Sequence, residues 1–322
     1  MKTLVFMQSA QALGTNLELQ LSSPDQPSAD RLFAILWDKV EIFQNQFSRF
    51  LETSELTKFN FKSGEKVEIS KEFNALLRKT QELCVASNGL FNPFILPLLN
   101  KVGYVTSFGS RKQKLSTIDY RDRKLAKSSE LVVGKDWARI PRDTAIDLGG
   151  IGKGYLADKL ADILDSMHTP AYCLSIGGDI ISKNIRGKSQ RINVQSLDKQ
   201  RETIGCYDAI DHKFAIATSG LSRQKNGKIQ YHLLDPRSGD LAKSKYQICS
   251  VAASDATTAD VMASCILIGG EEFAEKILEN KIIKGVLLQD DIARSGVKLM
   301  GKGFKINERS KNVDKLSEIK NA

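Results

Sequence analysis

Long apolar runs and an export signal are both missing from this chain of 322 residues. No stretch approaches the roughly 20 apolar residues that cross a bilayer as a helix, so we expect no membrane-spanning helix. The apolar patch at the N-terminus is shorter than the roughly 7–15 residues of a signal peptide's apolar region, and no cysteine precedes Cys84 to carry a lipid anchor. The sequence as it stands therefore predicts a cytoplasmic protein.

Cysteine and histidine are scarce, with five and three residues respectively. The cysteines are widely spaced and include no CxxC pair, and Cys173 lies within the apolar run 171–174. This pattern favours small buried side chains in a reducing compartment over disulfides. A thiolate nucleophile is not expected.

Positive charge is in excess, with 47 Lys and Arg residues against 38 Asp and Glu residues. An excess of this kind is compatible with a polyanionic partner. However, the basic residues are spread along the chain, and the densest run, residues 121–127, lacks the interleaved aromatics of single-strand binders. We therefore expect no nucleic-acid partner and interpret the charge as a solvated surface that also attracts an anionic cofactor.

Periodic segments of both helix and strand type are distributed over the chain, without internal repeats. Apolar residues recur at helical spacing over 28–47 and 71–88, and 256–268 is a third predicted helix. Predicted strands cover residues 12–20, 171–175, 213–217, 231–234, 247–253 and 284–289. Because these segments mix without a strict βαβ period, the pattern predicts an α+β or mixed-sheet fold.

A glycine-dense loop at Asp147–Tyr155 precedes an amphipathic segment that is typical of a helix. Its four glycines let the backbone approach a ligand closely, and the N-terminus of the following helix favours an anion. Lys153 adds a positive charge. The spacing matches neither a P-loop nor a dinucleotide-binding GxGxxG, so phosphate binding and a structural tight turn both stay open. Asp147 would repel a bare phosphate, and we expect it to bind another group or to act through a cation.

Asp260 and Ser264 stand four residues apart on a predicted helix and therefore project from the same face. A carboxylate and a hydroxyl are two hard oxygen ligands suited to Mg²⁺. The alternative is a hydroxyl that bonds to its own helix, which the spacing alone favours.

His232 is a lone histidine before the Asp235-Pro236 turn. Such a residue is more often structural, although polar neighbours surround it in the sequence.

Eight short segments, taken in order, carry a resemblance to one family. They are Ala12–Thr15, Ser54–Asn60, Asn88–Pro93, Asp147–Tyr155, Ser175–Asp179, Ala217–Gly220, His232–Gly239 and Ala259–Ser264. Each segment alone is weakly specific, but their common order over nearly the whole chain is highly specific. Together they resemble the FAD:protein FMN transferases, the ApbE-type flavinyltransferases. The resemblance implies mixed, largely antiparallel sheets with flanking helices, in one domain over residues 1–307 with a polar tail at 308–322.

The resemblance also implies a reaction. Such enzymes bind FAD and Mg²⁺, move FMN onto a Thr or Ser hydroxyl of an acceptor flavoprotein, and release AMP. By resemblance, the metal ligands are Asp260, Ser264 and the backbone carbonyl of Gly150. The expected FAD contacts are Leu13, Phe50, Leu90, Phe91, Asn92, Asp147, Lys153 and the backbone at Leu234. The expected catalytic residues are Lys153, which offsets charge, and His232, which assists the acceptor hydroxyl or steadies the leaving side.

Among the positions that depart from the family pattern, four matter for the expected site. Ser264 stands for Thr, Leu13 for Met, Gly152 for Ala, and Asn92 for an Asp whose loss removes a charge near the cofactor. That loss could shift the balance toward simple FAD hydrolysis. Two alternatives therefore stay open, a Mg²⁺-dependent FAD pyrophosphatase giving FMN and AMP, and a non-catalytic flavin-binding protein. The intact Asp147, Lys153, His232 and Asp260 argue against the second.

Overall fold

The computed structural model describes residues 4–103, 119–184, 188–196, 203–209, 211–225, 228–231, 233–290 and 296–306. Six helices lie within these residues: α1 (Gln26–Phe47), α2 (Glu55–Phe61), α3 (Lys71–Ala86), α4 (Leu96–Lys101), α5 (Gly152–Ser166) and α6 (Ala256–Glu279). A turn of 3-10 helix at Pro93–Ile95 leads into α4. The helices predicted at 28–47, 71–88 and 256–268 are confirmed as α1, α3 and α6, whereas α2 was not predicted.

The strands of the first half of the chain are β1 (Leu4–Ala12), β2 (Thr15–Ser23), β3 (Val67–Glu68), β4 (Val132–Val133), β5 (Trp137–Arg139), β6 (Tyr172–Ile176), β7 (Asp179–Lys183) and β8 (Gln190–Gln195). Those of the second half are β9 (Thr203–Ala209), β10 (Lys213–Gly220), β11 (Ser222–Lys225), β12 (Lys228–Tyr231), β13 (Tyr246–Ala253), β14 (Gly285–Asp290), β15 (Val297–Gly301) and β16 (Phe304–Ile306).

An eight-stranded sheet in the order β1-β2-β6-β7-β10-β13-β14-β15 forms the centre of the fold, and each of its pairs is antiparallel. The helices α1, α5 and α6 pack on one face. Along β10 the side chains alternate between two cores. Ala215 and Ala217 join the core beneath the helices, whereas Phe214 and Ile216 join a second core shared with the small sheet β16-β9-β8. The predicted α+β fold with largely antiparallel sheets is confirmed.

Apolar spacing explains how α1 meets this sheet. Its buried stripe contains Ala29, Phe33, Leu36, Val40, Phe43 and Phe47. The facing residues of β2, among them Leu17 and Leu19, are fully buried. The helix begins where the Asp25 side chain accepts a hydrogen bond from the Ser28 backbone N–H at 2.8 Å.

Two predicted strands are wrong in their bounds. Residues 231–234 were expected to form a strand, but β12 ends at Tyr231 and Leu234 makes a single bridge to Leu241. The reason is local, because the tight turn after Leu234 returns the chain onto itself: the Gly239 N–H donates to the Asp235 carbonyl at 2.8 Å. The predicted strand at 12–20 is likewise divided between β1 and β2 by a turn at Leu13-Gly14.

Two further predictions, the domain division and the cytoplasmic location, stay untested. The tail at 308–322 lies outside the described residues, so the division into a domain at 1–307 and a tail stays a prediction. Among the residues that the structure describes, no helix is long and apolar enough to cross a membrane. The cytoplasmic location also stays a prediction.

A close contact between α5 and α6 sets the position of the glycine loop. A Cβ on Gly154 would lie 2.4 Å from the Ala256 carbonyl oxygen and 2.8 Å from the Thr257 Cα. One turn further along α5, the Asp158 carboxylate accepts hydrogen bonds from the Ala256 N–H at 2.8 Å and the Thr257 N–H at 2.9 Å. The start of α5 is therefore held against the start of α6, with no space for a side chain between them.

We expect Gly154→Ala to lower the free energy of unfolding by about 2 kcal/mol or more, because the new methyl group overlaps the backbone of α6. The matched control is Gly152→Ala, whose Cβ would meet its nearest neighbour, a Phe43 ring carbon, at 3.7 Å. The control should keep the stability of the parent protein. Urea unfolding followed by circular dichroism measures both, and equal midpoints for the two variants would contradict the proposed close contact.

Candidate functional site

Lys153 lies at the centre of the strongest polar cluster near the glycine loop. Its ammonium donates hydrogen bonds to the Asp179 carboxylate and to Asp260, with Nζ 3.1 Å from Oδ1 and 3.2 Å from Oδ2 of Asp260. Lys153 is in the first turn of α5, Asp179 begins β7 after a Gly177-Gly178 turn, and Asp260 is in the second turn of α6. The fold thus brings together residues that are 107 positions apart in the chain.

The cluster contains two carboxylates and one ammonium. Asp179 is 1% exposed and Asp260 is 4% exposed, and the two carboxylates face one ammonium. Burial lowers the pKa of Lys153, but the carboxylates of Asp179 and Asp260 raise it by more, so the amine stays charged. Burial and the nearby Asp260 raise the pKa of Asp179, and Lys153 offsets only part of this. Because two buried carboxylates share one ammonium, a bound cation would favour the charged form of both.

The backbone at the start of α5 also contacts Asp260. The Gly154 N–H donates to Asp260 Oδ2 at 3.1 Å. One carboxylate oxygen therefore accepts a helix N–H as well as the ammonium, which fixes its orientation. This contact depends on the same approach of α5 to α6 that excludes a side chain at Gly154.

Asp147 closes the other end of the glycine loop. Its Oδ2 accepts from the Gly149 N–H at 2.9 Å, and its Oδ1 lies 3.3 Å from Nε of the buried Arg49. The Arg49 guanidinium in turn stacks 4.6 Å from the centroid of the Phe50 ring. Two predicted FAD contacts, Phe50 and Asp147, are thus joined through an arginine that the sequence analysis did not select.

The segment containing Leu90, Phe91 and Asn92 lies next to this loop. The Asp147 N–H donates to the Pro93 carbonyl at 2.8 Å, and a Phe91 ring carbon lies 3.6 Å from where a Cβ on Gly150 would be. Leu90 is buried in the main core. The structure therefore brings the predicted contacts at Phe50, Leu90–Asn92, Asp147 and Gly150 into one region.

The Asn92 side chain is committed to backbone contacts. Its Oδ1 accepts from the Phe94 N–H at 3.1 Å, and its Nδ2 donates to the Ala126 carbonyl at 3.0 Å. A carboxylate at this position could accept the first bond but could not donate the second. The amide thus ties the 3-10 turn at Pro93–Ile95 to the chain near Ala126.

Ser264 contacts a neighbouring strand. Its Oγ lies 2.8 Å from Oγ of Ser219 in β10. The preceding residue, Thr218, offers a backbone hydrogen bond to the Asp179 carboxylate. The end of β10 therefore links Ser264 to the cluster around Lys153, and its serine is a second residue that the sequence analysis missed.

Leu13 and Leu234 lie in other surroundings. Leu13 takes φ 54° in the turn between β1 and β2, a conformation that strains a leucine, and its N–H donates to Gln44 Oε1 of α1 at 2.6 Å. Leu234 is buried against Leu98 and Leu99. Within the described part of the chain, these contacts join them to α1 and α4 rather than to Lys153. His232 lies outside the described residues.

The predicted metal ligands are all oxygen donors, namely a carboxylate at Asp260, a hydroxyl at Ser264 and a backbone carbonyl at Gly150. Mg²⁺ takes few protein ligands of this type and completes its shell with water and substrate phosphates. In the ranges that the structure describes, no three His, Cys, Asp or Glu side chains gather as a metal cluster. The donor chemistry near Asp260 therefore fits a hard cation that is shared with a phosphate ligand.

Asp179 and Arg49 are the charged residues that the sequence analysis did not select. Asp179 closes the Ser175–Asp179 segment, so a signal for it was present, but only the fold places it against Lys153. Arg49 precedes Phe50 directly. Its partner Asp147 is nearly one hundred residues later, and no local pattern pairs them.

Comparisons with known proteins agree with one another. The sequence model of the ApbE family matches residues 13–287. A curated FAD:protein FMN transferase of Klebsiella pneumoniae is 25% identical over 289 residues, which cover 84% of this chain and 80% of the relative. One of Haemophilus influenzae is 24% identical over 352 residues, covering 99% and 93%.

Solved structures show the same fold. The flavin transferase ApbE from Vibrio cholerae superimposes with a TM-score of 0.73 at 23% identity, covering 93% of this chain and 97% of the other. The ApbE protein from Thermotoga maritima gives a TM-score of 0.76 at 21% identity, covering 96% and 99%. The α+β architecture described above is therefore shared with experimentally determined structures.

We expect Asn92→Asp to lower the free energy of unfolding by about 1–3 kcal/mol, because a carboxylate oxygen would face the Ala126 carbonyl where the amide now donates. The matched control is Asn16→Asp on the exposed surface of β2. Chemical unfolding of both variants at neutral pH tests this. Equal stability of the Asn92 variant and the parent would show that the amide bond to Ala126 contributes nothing.

Proposed function

This chain belongs to the ApbE family, and on that premise we propose that it transfers FMN from FAD to a Thr or Ser hydroxyl of an acceptor protein, with Mg²⁺, releasing AMP. The observation that carries the proposal is the buried cluster of Lys153, Asp179 and Asp260 beside the glycine loop. An ammonium and an excess carboxylate in one place suit a ligand that combines a pyrophosphate with a divalent cation. Curated relatives that bear the name FAD:protein FMN transferase support the same reaction.

The metal would be held by Asp260, Ser264 and the Gly150 carbonyl. A divalent cation bound there supplies Lewis-acid polarisation and neutralises pyrophosphate charge. Either hydroxyl can donate in the hydrogen bond between Ser264 and Ser219, and with Ser264 as the donor its oxygen keeps its lone pairs for a cation. The Gly154 N–H holds the Asp260 carboxylate in a fixed orientation.

The reaction is a displacement at phosphorus. The acceptor hydroxyl oxygen forms a bond to the FMN phosphorus, the bond from that phosphorus to the bridging oxygen breaks, and AMP leaves with that oxygen. Lys153 binds pyrophosphate oxygens and offsets the charge that develops on them. His232 accepts the proton of the acceptor hydroxyl or steadies the leaving side. Positioning therefore carries most of the catalysis.

The remaining contacts hold the flavin dinucleotide. Asp147 binds FAD away from its phosphates through a carboxylate that Arg49 and the Gly149 N–H hold in place. Phe50 and Phe91 offer apolar surface to the rings of FAD, and the buried Leu90 joins the adjoining segment to the core. Asn92, Leu13 and the backbone at Leu234 complete the proposed set.

The transfer itself is tested by incubating the protein with FAD, Mg²⁺ and a candidate acceptor protein, followed by a denaturing gel. We expect a fluorescent acceptor band whose mass increases by one FMN, and AMP as the second product. Replacing the acceptor Thr or Ser by Ala should remove the band. Free FMN and AMP without labelled protein would instead identify a pyrophosphatase that uses water as acceptor.

We expect Asp260→Asn to reduce labelling by more than about 100-fold and to abolish its dependence on Mg²⁺, since loss of a direct ligand exceeds the 10–100-fold effect of an outer-shell partner. The matched control is Asp165→Asn. It likewise removes a carboxylate that pairs with lysine, here Lys183 and Lys213, but at the far end of α5. Labelling rates over a Mg²⁺ series measure both variants. Unchanged turnover in the Asp260 variant would refute the metal assignment.

A further inference from the structure

Asp179 is buried in the candidate site without a role in the reaction proposed above. It is 1% exposed, and its carboxylate accepts a hydrogen bond from Lys153 and one from the Thr218 backbone. The strand that carries it begins at this residue, directly after the Gly177-Gly178 turn. An ionisable group held this far from water needs a partner, and here the partner is the ammonium.

Lys153 and a divalent cation have a common target. The ammonium lies within hydrogen-bonding distance of both oxygens of Asp260, which is the one carboxylate among the proposed metal ligands. A cation that approaches Asp260 must therefore share that carboxylate with Lys153. The two positive charges also repel each other. If Asp260 were the only anion within reach, the ammonium would pair with it alone and compete with the cation for its oxygens.

Asp179 supplies a second anion for the same ammonium. The ammonium contacts both carboxylates, and its nitrogen lies 3.1 Å from Oδ1 of Asp260. Because Asp179 begins β7 and Asp260 belongs to α6, Asp179 offers the ammonium an anion on the sheet, apart from the helix that carries Asp260 and Ser264. The ammonium therefore keeps a carboxylate partner when a cation binds Asp260.

We infer that Asp179 is a positioning residue, whose carboxylate holds the Lys153 ammonium beside Asp260 so that Asp260 can bind a divalent cation while Lys153 faces the pyrophosphate. The inference rests on the proposed metal-dependent function. It differs from two simpler roles for Asp179. A direct metal ligand would act without Lys153, and a purely structural residue would affect stability but not the competition for Asp260.

The test measures binding of Mn²⁺ alone to the full-length protein without FAD, by the loss of the free-ion electron paramagnetic resonance signal. The variants are Asp179→Asn, Lys153→Met and the double variant, with Asp165→Asn as the matched control and thermal unfolding as a check on folding. Because Mn²⁺ binding is read without FAD or acceptor, the result does not depend on activity.

We expect Asp179→Asn to weaken Mn²⁺ binding by about tenfold, the scale of an outer-shell partner. Lys153→Met should strengthen it, because the competing ammonium is gone. The double variant should bind within about threefold of Lys153→Met, since the ammonium that Asp179 positions is absent from both. The Asp165 control should bind as the parent does. If Asp179→Asn does not fold, stronger binding by Lys153→Met alone supports the inference and unchanged binding overturns it.

Other outcomes separate the inference from the proposed function. A double variant as weak as Asp179→Asn would identify a direct ligand or a structural role and overturn the inference. Unchanged binding by Asp179→Asn would do the same. If the parent shows no saturable Mn²⁺ binding, or if Asp260→Asn binds as well as the parent, the proposed metal site itself is wrong.

Discussion

The contact between the first turns of α5 and α6 is the constraint on which the candidate site depends. Gly154 has no side chain, and the Ala256 carbonyl occupies the space that a Cβ would need. This closeness allows the Gly154 N–H to reach Asp260 and places Lys153 within range of the same carboxylate. Asp158 reinforces the contact by accepting the free N–H groups at the start of α6. Two segments that are distant in the sequence thus form one polar site.

Much of the fold could be predicted because its signals are local. The apolar spacing of 28–47 specified α1, and the strand predicted at residues 213–217 forms the first part of β10. The errors have local causes as well. Residues 231–234 were predicted as a strand, but the turn that follows joins Leu234 to Leu241 instead of a sheet. The small sheet β16-β9-β8 was missed, and its pairing of β16 with β9 joins segments far apart along the chain.

The candidate site was predicted as a set of residues, not as an arrangement. The glycine loop and the Asp260–Ser264 pair could be recognised in the sequence because each lies within one short continuous segment. Their association, and the addition of Asp179 and Arg49, depend on ion pairs between residues separated by 26 to 107 positions. No periodicity encodes such pairs. The Lys153 contacts show this directly, because the loop alone left phosphate binding and a tight turn equally open.

The departures from the family pattern acquire physical meaning in these surroundings. Ser264 lacks the methyl group that stiffens a threonine, but its hydroxyl is held by Ser219, so its direction is set by a neighbour instead of by its own branching. Asn92 uses the amide nitrogen that an aspartate lacks to bind the Ala126 carbonyl. The amide at position 92 therefore anchors the backbone next to Phe91 and Asp147. The amide that stands in place of a charged carboxylate at position 92 thus has a backbone contact of its own in this chain.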